Sequence, residues 1–256
     1  MNVLVCVKRV PATGGTILLT PDGQDIDTRF LGFTVSPHEE CAVEEAVRIV
    51  ERVGGSTTVL TLGPTAAEEQ LRDALAIGIE RAILLETDGS DWDPVATSRA
   101  IADAIRADED ANGPYDLILF GNEAADTGDY QVGIRVAAAL DRPVVNGIKG
   151  LEIGEGSVTA RREASSGGWE LYELPLPAIV GVKEGINLPR YPSVPGRLRA
   201  RKKEIERVEP EHRPAGPTKT GLRLPEERAA AAEVIGTGPD AAPAVVELLQ
   251  RLGVLS

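Results

Sequence analysis

The stretch "LFGNEAADTGDYQVGIRVAAAL", residues 119–140, decides how this chain reads. The apolar run Leu117 to Phe120 has the length and composition of a buried strand. It breaks at Gly121 into a polar loop carrying Glu123, Asp126 and Asp129, and a helical pattern begins near Gln131. The sequence before it repeats this rhythm. "NVLVCV" is followed, after a hairpin-like insert, by "PHEECAVEEAVRIVERVG", where Ala42, Val43, Ala46, Val47 and Val50 recur at helical spacing. Ser36 is a good N-cap ahead of Pro37 at the first helical position, and Gly54 and Gly55 close the helix. Then come "TTVLTLG", "AAEEQLRDALAIG", "RAILLET", "DPVATSRAIADAIRAD", "DLILFG" and "YQVGIRVAAALDRP", so strand and helix alternate four times.

That alternation predicts an α/β fold, Rossmann-like and doubly wound, with a mostly parallel sheet covered by helices on both faces. Ligands of such sheets sit beyond the carboxyl ends of the strands. Here those ends are Cys6 to Pro11, Leu62 to Thr65, Thr87 to Asp93 and Gly121 to Gln131. From about Val145, strand-like runs separated by Gly-rich turns predict a hairpin extension of the sheet. A short basic helix is expected over 196–203. A Pro-, Gly- and charge-rich stretch to about Gly238 follows, with no core of its own, and a last amphipathic helix, "APAVVELLQRLGVL". The boundaries are an α/β nucleotide-binding domain over 1–189 and, over 190–256, a loop with an extended C-terminal arm.

At 256 residues and 42% apolar composition the chain is long enough to bury a substantial core. No apolar run approaches the roughly 18 residues of a membrane span, so direct membrane insertion is not expected. The N-terminus puts its apolar residues before its basic pair, opposite to a secretory signal, so a cytoplasmic location is expected. Two cysteines without CxxC spacing argue against a disulfide framework or zinc site. A net charge of −13 argues against general nucleic-acid binding.

Candidate chemistry concentrates in few places. The loop 121–131 offers a helix N-terminus to a phosphate, with Gly128, Gln131 and Gly133 suited to close approach. Its acids would face ribose, a metal or a partner, and a solvated acidic loop is the alternative. Lys8 and Arg9 end the first strand, facing either a phosphate or solvent. Glu44 and Glu45, like Glu39 and Glu40, read as acids favouring a helix dipole. The two histidines, His38 and His212, stand in no nucleophile setting, and neither GxGxxG nor GxxxxGK[ST] occurs. No catalytic residue or metal set is assigned. "RLRARKK", Arg197 to Lys203, follows "LPRYPSVP", where Tyr191 and Val194 lie among prolines. The loop suits partner recognition better than catalysis, and the basic run in so acidic a chain suits docking to an acidic protein surface or a plain solvated face.

Taken together, "VLVCVKRVP", "SPHEECAVEEAVRIVE", "LRDALAIGIERAILLE", "DLILFGNEAADTGDYQVG", "RREASSGGWELYELPLPAIVGV" and "INLPRYPSVPGRLRARKKEIE" resemble the β subunit of an electron transfer flavoprotein. The resemblance covers about residues 1–210. It implies a heterodimer with an α subunit that holds most of the FAD, and an AMP of no redox role in this subunit. By matching position, the AMP would contact Cys6, Ser36, Pro37, His38, Glu39, Leu62 and the run Gly121, Asn122, Glu123, Ala124, Ala125, Asp126, Thr127, Gly128, Asp129, Tyr130, Gln131 and Val132. Glu163 would help hold the α subunit's FAD domain. Arg190, Tyr191, Val194, Pro195, Arg199 and Lys202 would belong to a loop that anchors acyl-CoA and related dehydrogenases, Val194 standing where an apolar anchor is expected. The arm would wrap the α subunit, and electrons would leave to a membrane quinone reductase. The sequence departs from the family at Ser36, His38 and the spacing of Asp126 and Asp129. "VPAT", Val10 to Thr13, resembles the "VPDT" of electron-bifurcating relatives, which hold a second FAD in place of AMP. Another reading is an adenine-nucleotide-dependent α/β enzyme using Asp126 and Asp129 on a metal.

Overall fold

The computed structural model of the protein describes residues 1–12, 14, 16–225 and 233–255; Thr13, the last residue of the "VPAT" match, lies outside them. The chain forms two compact units, Met1–Thr220 and Gly221–Ser256, so residues 190–220 belong with the first.

In the first unit the expected alternation is present: β1 (Asn2–Val7), α1 (Pro37–Val53), β4 (Ser56–Gly63), α2 (Glu68–Ile77), β5 (Arg81–Glu86), α3 (Pro94–Asn112), β6 (Leu117–Gly121) and α4 (Val132–Leu140). Within the insert after β1, β2 (Val10–Pro11) pairs antiparallel with β3 (Phe33–Thr34), and Leu19 bridges Ile26. A meander follows, β7 (Val144–Ile153), β8 (Ser157–Glu163) and β9 (Trp169–Pro175), then β10 (Ala178–Val182), α5 (Val194–Ala200) and β11 (Glu206–Val208). These make one nine-stranded sheet in the order β11-β5-β4-β1-β6-β10-β7-β8-β9. Pairing is parallel from β11 through β7 and antiparallel for β8 and β9.

The central strands are buried on both faces, as continuous apolar runs of a parallel sheet require. Val3, Val5 and Val7 of β1 face a core with Cys41, Ala42, Ala46 and Ile49 of α1 and Leu71 and Leu75 of α2. Leu4 and Cys6 face the opposite core, with Ile101 and Ile105 of α3 and Val136 and Ala137 of α4. The chain steps from β1 outward through β4 to β5, then returns to lay β6 on the other side of β1. The strand order therefore reverses between β1 and β6, which opens a crevice at their carboxyl ends.

Two features were not legible in the sequence. The hairpin extension does widen the sheet, but β10 returns into it between β6 and β7, so the meander hangs from a strand later in the chain. β11 adds a parallel edge strand beside β5 from a stretch read as having no core. Its three residues are all exposed, so its signal is backbone pairing rather than burial.

The short helix α5 is pinned to α2. Ser193 caps it, accepting from the Gly196 backbone N–H at 3.1 Å. Arg72 of α2 donates to the carbonyls of Ala200 and Lys203 at its far end, both at 2.5 Å. Gly196 lies against α2 so closely that a Cβ there would meet the Ala76 carbonyl oxygen at 2.3 Å. In the second unit the described residues form a turn over Pro239–Ala241 and α6 (Ala242–Arg251), as expected, with no buried residue in either. Gly196→Ala is expected to push α5 off α2 and to lower unfolding stability by about 1–3 kcal/mol, read from denaturant titration.

Candidate functional site

The crevice at the switch point is organised by one acid. Glu39 is the third residue of α1, and its position allows a reciprocal capping box: the Ser36 hydroxyl accepts from the Glu39 N–H at 3.2 Å, and Glu39 Oε2 accepts from the Ser36 N–H at 2.9 Å. Its other oxygen accepts from the Lys8 N–H at 2.8 Å, just beyond β1. The side chain is only 6% exposed. Burial pushes its carboxyl up to about 7 against the opposing pull of the Ser36 and Lys8 N–H groups. β6 comes close on the remaining side, where a Cβ on Gly121 would stand 2.7 Å from Glu39 Cγ. Gly121 therefore breaks the strand where the side chain of α1 must fit.

Two bridges then tie the loop after β6 across the crevice. Lys8 Nζ meets Asp126 at 2.8 Å. His38 Nδ1 accepts from the Glu184 N–H at 2.8 Å, which leaves Nε2 to carry the proton of the neutral ring, toward Glu123 Oε1 at 3.3 Å. Inside the loop, the Gly128 N–H donates to the Ala124 carbonyl at 2.8 Å, with Gly128 in the left-handed region at φ 66°. Gln131 Nε2 donates to Asp129 at 3.2 Å. α4 then opens without a side-chain cap, so its first N–H groups remain for an anion. Beside β1, Arg9 lies over the Phe33 ring at 3.3 Å, and its buried Nε has no partner among the described residues.

The predicted nucleotide residues thus come together in part. His38, Glu39, Gly121, Glu123 and Asp126 share the crevice. Ser36 and Pro37 are spent on the helix cap. Cys6 points into the core under α3 and α4, and burial, then Glu39, pushes its thiol well up. Leu62 packs at the edge of that same core. Asn122 holds the loop root by donating its N–H to the Val182 carbonyl at 2.8 Å. Ala125, Thr127 and Tyr130 face solvent, Ala124 is half-buried, and Val132 packs against the core under α3 and α4.

The predicted docking residues gather elsewhere. Tyr191 and Val194 are 96% and 72% exposed, and Pro195, Arg199 and Lys202 are exposed beside them. The cationic run is divided: Lys203 turns inward onto the carbonyls of Ile79 and Glu80 at 2.8 and 3.0 Å, while Arg199, Arg201 and Lys202 stay in solvent. Glu163 lies apart on β8, paired with Lys149 at 2.9 Å. Arg190 is turned back onto Glu44 and Glu51 of α1. Glu44 was the residue that sequence reasoning undervalued. A usable signal was present, since it lies between the apolar pairs Ala42, Val43 and Ala46, Val47 of α1.

Because the folded Glu39 carboxyl titrates above an unfolded one, its contribution to stability is complete below ordinary carboxylate pKa values. That contribution fades as pH rises through about 7. Glu39→Gln should therefore flatten the fall in thermal midpoint between about pH 5 and 8, and an unchanged slope would assign the fall to other groups.

The electron transfer flavoprotein domain family matches residues 27–212. The electron transfer flavoprotein subunit beta of Thermoanaerobacterium thermosaccharolyticum is 37% identical over 209 residues, covering 80% of this chain and 77% of that protein. The subunit of the same name from Bacillus subtilis is 37% identical over 212 residues, covering 82% and 79%. Protein FixA of Sinorhizobium fredii is 33% identical over 209 residues, covering 80% and 73%. With the sheet and helices expected of such a fold, the chain belongs to the electron transfer flavoprotein family, as a β subunit.

Proposed function

We propose that this chain pairs with an α subunit and that the heterodimer carries electrons in the cytoplasm from acyl-CoA and related dehydrogenases to a membrane quinone reductase. The observation that carries this reading is the segment 188–202. It offers Leu188, Tyr191 and Val194 to solvent beside Arg199, Arg201 and Lys202, on a backbone fixed to α1 and α2. Apolar anchors ringed by cations suit an acidic protein partner. Among the described residues no helix is long and apolar enough to cross a membrane, so the quinone reductase would be reached by docking.

In this reading the crevice holds a structural AMP. The residues present fit an anionic nucleotide: α4 opens without a side-chain cap, and Lys8, paired with Asp126, brings a positive charge to the loop that leads into it. Gly121 to Val132 would follow the nucleotide with backbone groups, and His38, held by Glu184, would border it. The FAD, held mainly by the α subunit, supplies the redox chemistry when bound. This chain's residues bind, orient and dock. Glu163, half-exposed and steadied by Lys149, would meet the α subunit's FAD domain, and α6, with no buried residue, would lie against the α subunit.

A second reading rests on the "VPAT" match at Val10, where a second FAD would replace AMP in an electron-bifurcating protein. The adenine-nucleotide-dependent enzyme is less favoured, because Asp126 is engaged by Lys8 and Asp129 by Gln131 rather than converging on one point.

Co-expression with the α subunit of the same organism, followed by denaturation and chromatography of released nucleotides, is expected to yield FAD and AMP in equal amounts. FAD in double amount without AMP would establish the bifurcating reading, and no complex would defeat both. Val194→Asp is expected to raise KM for the heterodimer in an acyl-CoA dehydrogenase assay by about tenfold or more, with FAD content unchanged.

A further inference from the structure

Glu44 stands in the middle of α1 and is 1% exposed. A buried carboxylate in that place needs partners, and a single arginine supplies most of them. Glu44 Oε2 accepts from Arg190 Nε at 2.9 Å and from the Arg190 backbone N–H at 3.2 Å. Its Oε1 accepts from Arg190 Nη2 at 3.1 Å and from Arg48 Nε at 2.5 Å. The same guanidinium donates to Glu51 at 2.7 and 2.9 Å. Just upstream, Asn187 Nδ2 donates to the Cys41 carbonyl and to Glu45, each at 2.9 Å, and Arg48 Nη2 donates to the Leu188 carbonyl at 3.1 Å. Residues 187, 188 and 190 are thus all fastened to α1.

The side chains left free are the apolar ones: Leu188 is 82% exposed, with Tyr191 and Val194 beyond it. Their own packing does not hold them in place. An exposed loop that must order on binding loses affinity to that ordering, whereas one already held does not. Burial pushes the Glu44 carboxyl up, but hydrogen bonds from Arg190 and Arg48 outweigh it and keep it below the usual carboxylate range. The socket is therefore ionised, and the arginine stays in it.

We propose that Glu44 is a positioning residue for partner docking: through Arg190 it holds residues 187–194 in the geometry that the dehydrogenase meets. The inference rests on the docking role proposed above for this segment. It places control of that surface on a helix whose other end borders the nucleotide crevice.

The test uses the heterodimer with the α subunit of the same organism, an acyl-CoA dehydrogenase and its acyl-CoA substrate. Glu44→Gln keeps the shape of the socket and removes its charge. Arg190→Lys sits at the surface, leaves the core intact and keeps the charge, but one amine cannot reproduce the fork shared between Glu44 and Glu51. Both variants are expected to raise KM for the heterodimer by about tenfold, with kcat within about twofold and FAD content unchanged. Amide hydrogen exchange over 186–194 should accelerate in both. An unchanged KM in both variants, with Val194→Asp still raising it, would overturn the positioning role and leave the docking reading standing. An unchanged KM in Val194→Asp would overturn the docking reading, and the positioning role with it, even if exchange over 186–194 accelerates.

Discussion

Glu39 is the constraint on which the site depends. Its carboxyl joins the end of β1, through the Lys8 N–H, to the N-terminus of α1, through the Ser36 N–H, and it sits where Gly121 lets β6 approach. A buried acid is tolerated only when its oxygens are occupied, and here both are occupied by backbone groups of two separate elements. That requirement fixes the angle at which α1 leaves the sheet. The crevice between β1 and β6 exists because the strand order reverses there, but its walls are set by what Glu39 can reach.

α1 is fastened along much of its length by the segment that leaves β10. Glu184 donates to His38, Asn187 to Glu45 and Cys41, and Arg190 to Glu44 and Glu51. The segment therefore runs along the helix from its first turn to its later ones. One helix carries the border of the crevice at one end and the support of the exposed apolar segment further along. A single element thus borders the crevice and holds the exposed apolar segment, and the acids of "AVEEA" are part of how it does so.

Much of the fold was legible because its signals are local. The caps at Ser36 and Pro37, the helical stripe of α1 and the apolar runs of β1, β4, β5 and β6 follow from spacing within a few residues. The insertion of β10 between β6 and β7 was not, since nothing in "AIVGV" states which neighbours it will find. β11 was missed because its residues bury nothing, and only the pairing with β5 makes them a strand. Within the site, the loop 121–131 was legible as a break between strand and helix. The bridges from Lys8 and His38 were not, because their partners lie 118 and 85 residues away.

The sequence by itself determined the class of fold, the alternation of its elements, and, through its resemblance, the family. Those depend on period, composition and turn chemistry, which short stretches carry whole. Only the tertiary structure decided which charges face each other. It made Glu44 a buried socket rather than an acid merely favouring a helix dipole, turned Arg190 and Lys203 inward while leaving Arg199, Arg201 and Lys202 outside, and left Arg9 Nε without a partner among the described residues. The reason is physical: the worth of a charge is set by its burial and by the groups within a few ångströms of it, and both arise only when distant parts of the chain have packed together.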